Sequence, residues 1–392
     1  MKIGIASPIS SFFFKDYLNQ ESALLAENLS NHDAPAVTNL ARSFLDMGHE
    51  LVIFTKDSHV TKNYLLEGEK IKIFITPSSM KGWRKILGKL YIYDLILISK
   101  MFLSNEKLDV LSVQWTRDYA IGARHYFGKC PVTCTVRDIL PVISKMQPIS
   151  KVVLWQNEYT MRCKSYRFIS NSEYTHNMVK RLWKNDSVII HNGISEEFLD
   201  YHPRAKFDLF TFVTISTSID GRKNIETLLN AYRIFHTNHP LTQLLLVGPP
   251  FQRTNPKVLS WDQTGLLEGV VLCGAKNRSE LKDILTLSHC LIHPALEETF
   301  GNILIEAMAC KCLTIGGVNS GAVPYVLHHG KCGLLCDVSN INSIAEVMEN
   351  AYLFDHNAII NFGFEIVHSE FSPSVVASKY IDYFNYFIGK NK

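Results

Sequence analysis

His293-Pro294-Ala295-Leu296-Glu297-Glu298-Thr299-Phe300-Gly301-Asn302-Ile303-Leu304-Ile305-Glu306-Ala307-Met308-Ala309 is the stretch from which the rest of the chain can be read. Before it, Cys290 to Ile292 forms a short apolar run with the character of a buried strand. A turn carrying Glu297 and Glu298 follows, and Gly301 then opens an amphipathic helix that carries a third acid, Glu306. A helix N-terminus leaves backbone N–H groups without i−4 partners, so this joint combines an anion site with neighbouring carboxylates.

Carboxylates accept hydrogen bonds from hydroxyls and repel phosphates, so the two tasks must be separated within the joint. The amides near Gly301 and Asn302 suit a phosphate, while Glu298 and Glu306 suit sugar hydroxyls. The plainer reading is an exposed turn acid followed by an acid near a helix start, where the helix dipole favours it.

Working outward, 392 residues accommodate two domains, each with its own core. An apolar content of 46%, a charged content of 20% and a net charge of +3 describe a globular chain with no nucleic-acid footprint. No apolar run reaches the roughly 18 residues of a spanning helix. Met1-Lys2-Ile3-Gly4-Ile5-Ala6 reads as a first buried strand rather than a secretion signal, and the expected location is cytoplasmic. Nine scattered cysteines are expected as reduced thiols. Cys310, Cys312, Cys332 and Cys336 have a spacing that zinc could use, but apolar runs surround Cys312 and Cys336, and packing is the preferred reading.

The first half alternates strand-like and helix-like segments. Strands are predicted at 2–6, 50–55, 71–75, 109–114, 131–136, 168–170 and 188–191, with helices near 35–47, 83–103, 118–127, 157–166 and 174–184. That pattern predicts a parallel sheet covered on both faces. The connection from Ser7 to Asp33 is long and carries Phe12-Phe13-Phe14; it is a candidate acceptor-binding loop, unless the phenylalanines pack a short helix. Between Lys70 and Lys100 stand seven basic residues and one acid, with Trp83, Ile86, Leu87 and Leu90 at helical spacing. Such a helix suits an anionic membrane surface or a half-buried helix with a solvated basic side.

His191-Asn192-Gly193 closes the first half, and the polar stretch from Ser195 to Phe207 is placed as the linker. The alternation then repeats, with strands at 211–216, 244–247, 270–273, 290–292, 312–315 and 333–335. Helices are predicted near 224–236, 278–288, 302–310, 322–328 and 341–353. The expected domains are 1–198 and 199–370, facing each other across a deep cleft. An aromatic helix over 371–392, with Tyr380, Tyr383, Phe384 and Phe387, needs a surface to cover, and the first domain is the candidate.

Gly221-Arg222-Lys223-Asn224 follows the first strand of the second half and opens a helix. A lysine there, on the sheet edge that also carries the 293–302 joint, can clamp a phosphate; otherwise it is a solvated charge in a turn. The sequence contains no Walker loop and no G-x-G-x-x-G, so kinases, ATPases and dinucleotide oxidoreductases lack their phosphate loop. G-x-S-x-G, H-E-x-x-H and D-x-D are also missing, which removes the commonest hydrolase and metal-dependent transferase signatures.

With these residues in place, Glu298-Thr299-Phe300-Gly301 followed by Glu306-Ala307-Met308-Ala309 resembles the E-x7-E signature of retaining glycosyltransferases, family four, with the GT-B fold. Gly48-His49-Glu50, Asn192-Gly193-Ile194 through Phe198, Leu246-Val247-Gly248 and Gly330…Gly333-Leu334-Leu335 resemble further stretches of that family. The resemblance implies an α/β fold of two Rossmann-like, doubly wound domains. It also implies transfer of a sugar from a nucleoside diphosphate sugar, UDP- or GDP-linked, to a hydroxyl acceptor with retention of configuration and no metal or other cofactor. Glu306 would meet the ribose, Glu298 the donor sugar, the Gly301 and Asn302 amides the distal phosphate, and Lys223 the diphosphate. Phe300 and Thr299 lie within the same signature, and Lys276 falls loosely at the base-binding loop. Glycans or lipid-linked glycans are the implied acceptors, with surface polysaccharide or glycolipid synthesis at the inner membrane face as the setting.

Several positions depart from the family's pattern. Thr217 or Ser218 stands where an arginine is usual, and Arg222 is the nearest substitute. Arg137, beside Asp138, replaces a histidine in the first-domain cleft, and His32-Asp33-Ala34-Pro35 replaces a Gly-Gly loop. Lys311, Leu313 and Tyr325 also differ from the family's choices. Two alternatives stay open: a sugar-nucleotide epimerase of the same shape, and a non-catalytic sugar-nucleotide-binding partner subunit.

Overall fold

The computed structural model describes residues 1–29, 33–77, 102 and 106–390. The chain divides into two compact units. One comprises Met1–Ser144, Pro148–Ser195 and Pro373–Lys392, the other Lys145–Gln147 and Glu196–Ser372.

The first unit is built on an 8-stranded sheet. Its strands are β1 (Lys2–Ala6), β2 (Glu50–Asp57), β3 (Tyr64–Glu67), β4 (Ile71–Pro77), β5 (Val110–Val113), β6 (Val132–Val136), β7 (Arg167–Ser170) and β8 (Ser187–Ile189). In the order β3-β4-β2-β1-β5-β6-β7-β8, every pair is parallel except β3 with β4. Alternate side chains serve two different cores, as a sheet covered on both faces requires. Ile3, Ile5, Leu51 and Ile53 pack on one face, while Ala6, Val52, Phe54, Leu111 and Val113 pack on the other. The strand order reverses between β1 and β5, and such a switch point opens a crevice at the carboxyl ends of the parallel strands.

The second unit holds a 6-stranded parallel sheet in the order β11-β10-β9-β12-β13-β14. The strands are β9 (Phe210–Ile215), β10 (Thr242–Val247), β11 (Val270–Gly274), β12 (Cys290–His293), β13 (Leu313–Gly317) and β14 (Leu334–Cys336). Numbered within the unit, that order is 3-2-1-4-5-6, the doubly wound dinucleotide-fold arrangement, with its switch point between β9 and β12. Phe212, Leu228, Tyr232, Leu246, Ile292 and Ile315 form the centre of its core.

The structure departs from the sequence reading in several places. The segment from Ser7 to Asp33 is not one long loop: Ser11–Tyr17 is a 3₁₀ helix and Gln20–Asn28 an α-helix. Phe14 is fully buried while Phe12 is 43% exposed, so the phenylalanines divide between core and surface. The helix expected near 157–166 runs instead over Lys151–Met161, because the Ser150 hydroxyl caps it by accepting from Val152 N–H at 3.3 Å. Strand β3 and the helices Pro256–Gln263 and Asn357–Glu370 were not anticipated. The basic helix around Trp83 lies outside the described residues. Among those described, no helix is long and apolar enough to cross a membrane.

The C-terminal helix Pro373–Lys390 belongs to the first unit. Tyr380 and Phe384 are buried there, with ring centroids 6.3 and 6.0 Å from Phe44. All nine cysteines are free thiols, and Cys310, Cys312, Cys332 and Cys336 are buried. Burial pushes the Cys312 thiol up to about 12, the behaviour of a packed thiol rather than a reactive one.

Candidate active site

The second unit's site begins where β9 ends. The Ser216 hydroxyl donates to the Ser218 carbonyl at 2.7 Å, and the Ser218 hydroxyl donates to Asp220 Oδ2 at 2.8 Å. Asp220 Oδ1 in turn accepts from Lys223 N–H at 3.1 Å, which fixes the turn that presents Arg222 and Lys223. Asn224 follows with φ of 55° in the left-handed region, and the helix Ile225–Asn238 starts there. Its apolar face, Ile225, Leu228, Leu229 and Tyr232, is fully packed, so the turn sits on a rigid base.

Asn224 connects three strand ends. Its side-chain amide donates to the Pro294 carbonyl at 3.2 Å, just beyond β12, and to the Val338 carbonyl at 2.7 Å, just beyond β14. Thr227 holds the other side of the amide by donating to Asn224 Oδ1 at 2.6 Å. The neighbouring main chain adds a bond from Leu296 N–H to the Arg222 carbonyl at 2.8 Å. The loops after β9 and β12 are thereby laced together across the switch point.

Three basic side chains converge on one oxygen in that seam. Lys223 Nζ donates to Glu298 Oε1 at 2.6 Å, Arg222 Nη1 donates to it at 3.3 Å, and His293 Nε2 lies 3.3 Å away. Arg222 also donates to the Glu297 carbonyl at 3.0 Å, and Ala322 N–H donates to the Glu298 carbonyl at 2.8 Å. Burial by itself would raise the Glu298 carboxyl. The adjacent His293 imidazole and the charges of Lys223 and Arg222 outweigh burial and hold it well below the usual carboxylate range.

The joint beyond Glu298 is equally fixed. Phe300 is buried, its ring 5.7 Å from that of Phe371. Gly301 adopts φ of 87°, a left-handed turn that only glycine takes at little cost, and the helix Asn302–Ala309 begins immediately after it. A Cβ at Gly301 would also lie 3.0 Å from Leu304 Cδ1. Thr299 and Asn302 flank that turn. Glu306 is half-buried one turn further on, and among the described residues no hydrogen bond reaches its carboxylate. Burial pushes this carboxyl up to about 7, with Arg278 opposing and Glu197 reinforcing the shift.

The sequence-predicted residues thus fall into three groups. Arg222, Lys223 and Glu298 meet directly, and Thr299, Phe300, Gly301, Asn302 and Glu306 continue the same joint. Lys276 follows β11 and pairs with Glu280 at 3.0 Å beside the capping box of the helix Arg278–Leu287. Arg137 and Asp138 belong to the first unit, at the carboxyl end of β6. The Arg137 guanidinium is buried, donating to Gln114 Oε1 from Nε at 3.2 Å and Nη2 at 2.7 Å and to Asn192 Oδ1 from Nη1. Asp138 accepts from Trp115 Nε1 at 3.1 Å.

Sequence reasoning gave no role to His293, Asn224 or Asp220. For His293 and Asn224 the available signal was their position beside Pro294 and Lys223, at the edges of the two motifs. Among the described residues, no three His, Cys, Asp or Glu side chains gather as they would around a metal ion.

Comparison with known proteins places this geometry in context. The profile of the group 1 glycosyl transferases matches residues 204–354, and that of glycosyltransferase family 4 matches residues 35–198. The chain is 26% identical over 313 residues to N-acetyl-alpha-D-glucosaminyl L-malate synthase of Bacillus anthracis, covering 74% of this chain and 78% of that protein. It is 28% identical over 148 residues to the phosphatidylinositol N-acetylglucosaminyltransferase gpi3 subunit of Schizosaccharomyces pombe. That match covers 37% of this chain and 31% of the relative, so it spans about a third of the longer protein. Sucrose-phosphate synthase from Thermosynechococcus elongatus superposes with a TM-score of 0.77 at 16% identity over 100% of both chains. Anabaena HepE in complex with UDP and glucose gives a TM-score of 0.70 at 14% identity over 98% of this chain and 100% of that one. At such identities the structural likeness speaks to the fold.

Proposed function

This chain belongs to the group 1 glycosyltransferases of GT-B fold, and from that premise we propose that it moves a sugar from a nucleoside diphosphate sugar to a hydroxyl acceptor, retaining anomeric configuration without a metal. The observation that carries the proposal is the meeting of Lys223 and Arg222 on Glu298 at the switch point of the second sheet. Two cations beside a helix N-terminus suit a diphosphate, and an ionised, oriented carboxylate suits sugar hydroxyls.

In this reading the donor divides the cluster. Its diphosphate takes Lys223 and Arg222 together with the amides near Gly301 and Asn302, while Glu298 turns to hydroxyls of the donor sugar. Glu306 receives the ribose hydroxyls. The bond from the anomeric carbon to the phosphate oxygen breaks, and the acceptor oxygen bonds to that carbon on the same face. The acceptor's proton passes to the leaving phosphate. Charge on the departing diphosphate grows as the bond lengthens, so fixed cations stabilise the transition state more than the ground state.

Uridine donors are the first choice, since HepE, a protein of like fold, was captured with UDP and glucose. The names of two relatives carry N-acetylglucosamine, which makes UDP-N-acetylglucosamine the leading donor to test. A glycan or lipid-linked glycan made on the cytoplasmic side of a membrane, for surface polysaccharide or glycolipid, is the proposed acceptor.

A thermal-shift screen against uridine, guanosine and adenosine diphosphate sugars tests the donor assignment. One base should stabilise the protein in a concentration-dependent way, and the effect should weaken in Lys223→Ala. Turnover in Glu298→Gln and Lys223→Ala should fall at least about tenfold while both proteins remain folded. Near-normal transfer by either purified variant would overturn the site assignment.

A further inference from the structure

A cavity in the first unit has no part in the chemistry above. It encloses about 460 Å³ and is bounded by the amino ends of β7 and β8 and the last turns of the helix Pro373–Lys390. Ligands of doubly wound sheets bind at the carboxyl ends of the strands. This cavity opens at the opposite end of the same parallel strands.

Its lining combines cations with aromatic rings. Lys164, Arg167 and Lys184 stand around the opening with Asp186 as the acid among them. Among the described residues, none of the three cations makes an ion pair. Lys164 Nζ is steadied by donating to Asn185 Oδ1 at 2.7 Å. The Arg167 guanidinium sits 5.3 Å from the centre of the Phe387 ring, which orients it without neutralising it. Lys184 ends the helix Glu173–Trp183 in the left-handed region at φ of 54°. A helix C-terminus carries partial negative charge, so a cation there is held favourably.

The opposite wall is a packed aromatic group. Phe387 meets Tyr383 edge to face at 4.9 Å and Tyr386 at 5.0 Å. The Tyr383 hydroxyl donates to the Phe168 carbonyl at 3.5 Å, and Tyr386 remains 55% exposed. Rings packed in this way offer a rigid apolar face beside three cations that lack carboxylate partners, within the size range of small-molecule sites. The charge excess calls for an anion, and the rings call for a carbon body attached to it.

We propose that this cavity is a phosphate-recognition site, separate from the donor site, for a phosphate ester whose carbon body lies against Tyr386 and Phe387. The phosphate is bound between Lys164, Arg167 and Lys184. Two sources share that chemistry: the headgroup of an anionic phospholipid and a soluble organic phosphate.

The test uses the full chain and its Lys164→Gln/Arg167→Gln/Lys184→Gln variant, all three positions being exposed and outside the donor machinery. One arm measures sedimentation with phosphatidylcholine vesicles, with and without phosphatidylglycerol. The other measures calorimetric binding of phenyl phosphate and glycerol 3-phosphate. Wild-type binding in either arm, weakened at least about tenfold in the variant, supports the site. Loss confined to the vesicle arm identifies a lipid headgroup, and loss in the soluble arm identifies a free phosphate ester. Failure of the wild type in both arms, or equal binding by the variant, overturns the proposal. Neither arm measures glycosyl transfer, so a failure here leaves the transferase reading standing.

Discussion

Lys223 and Glu298, 75 positions apart in the chain, meet at 2.6 Å across the switch point of the second sheet. Both side chains are about 15% exposed, so each holds the other's charge out of bulk water. In the proposed reading, the pair opens to the donor only when an incoming anion takes the lysine. Loss of one partner leaves the other charge poorly compensated. Arg222 and His293 remain beside Glu298, which limits the penalty. Lys223→Met and Glu298→Gln should each cost about 1–3 kcal/mol in denaturant melts, with a coupling of about 1–2 kcal/mol in the double variant. Additive single effects would show that the contact contributes nothing.

Glu306 supplies a prediction in pH. Its carboxyl is pushed up to about 7, above the ordinary glutamate value of 4.5, so the folded chain binds a proton that the unfolded chain has released in that window. Stability therefore falls as pH rises from 4.5 to about 7, and the full penalty applies above it. Glu306→Gln removes the penalty. The variant's gain in Tm over the parent should grow between about pH 5 and about pH 8. Ribose hydroxyls that donate to the carboxylate would favour its ionised form. Donor binding near neutrality should then release a proton, visible as buffer-dependent calorimetric heat, and the variant should lose that release.

Much of this arrangement could be read before the structure, and the limits have identifiable causes. Near-continuous apolar runs such as Leu51 to Phe54 mark strands, because each must fill a core on both faces. Tyr64–Glu67 was missed because four residues at a sheet edge, half of them exposed, give too short an alternation to stand out. Lys151–Met161 begins earlier than expected because Ser150 caps it, a helix-start signal that the sequence carried and the reading passed over. At the site, Glu298, Lys223 and Arg222 could be placed on one sheet edge from strand order. Their convergence on a single oxygen, with His293, depends on contacts that sequence spacing does not encode.

Asn224 is the clearest case of a positioning residue that sequence reading left aside. It holds a left-handed backbone and spans three strand ends through one amide. Asn224→Gly keeps the backbone conformation but loses the bonds, and should cost about 1–2 kcal/mol. Asn224→Ala adds the strain of a left-handed alanine, about 1 kcal/mol more. Both variants should raise KM for the donor more than they lower kcat, because Lys223 loses its anchorage and the reacting groups remain. Equal stability of the glycine and alanine variants would show that the left-handed backbone is not what asparagine supplies there.

Tyr380 tests how the C-terminal helix serves the first unit. Its ring is 1% exposed, packs 6.3 Å from Phe44 and 5.8 Å from Phe384, and its hydroxyl lies 3.1 Å from Thr135 Oγ1 on β6. A side chain this large, supplied from the far end of the chain, completes a core that Val37, Leu40 and Phe44 begin. Tyr380→Phe loses only the hydroxyl contact and should cost about 1 kcal/mol. Tyr380→Ala also opens a cavity and should cost about 3–5 kcal/mol. Two compact units can unfold in separate steps, and the loss should fall on the first unit's transition alone. Tryptophans distinguish the steps, since Trp115, Trp155 and Trp183 report on the first unit and Trp261 on the second. A Tyr380→Ala variant whose Trp261 signal shifts while those of Trp115, Trp155 and Trp183 stay in place would contradict the assignment of this helix to the first core.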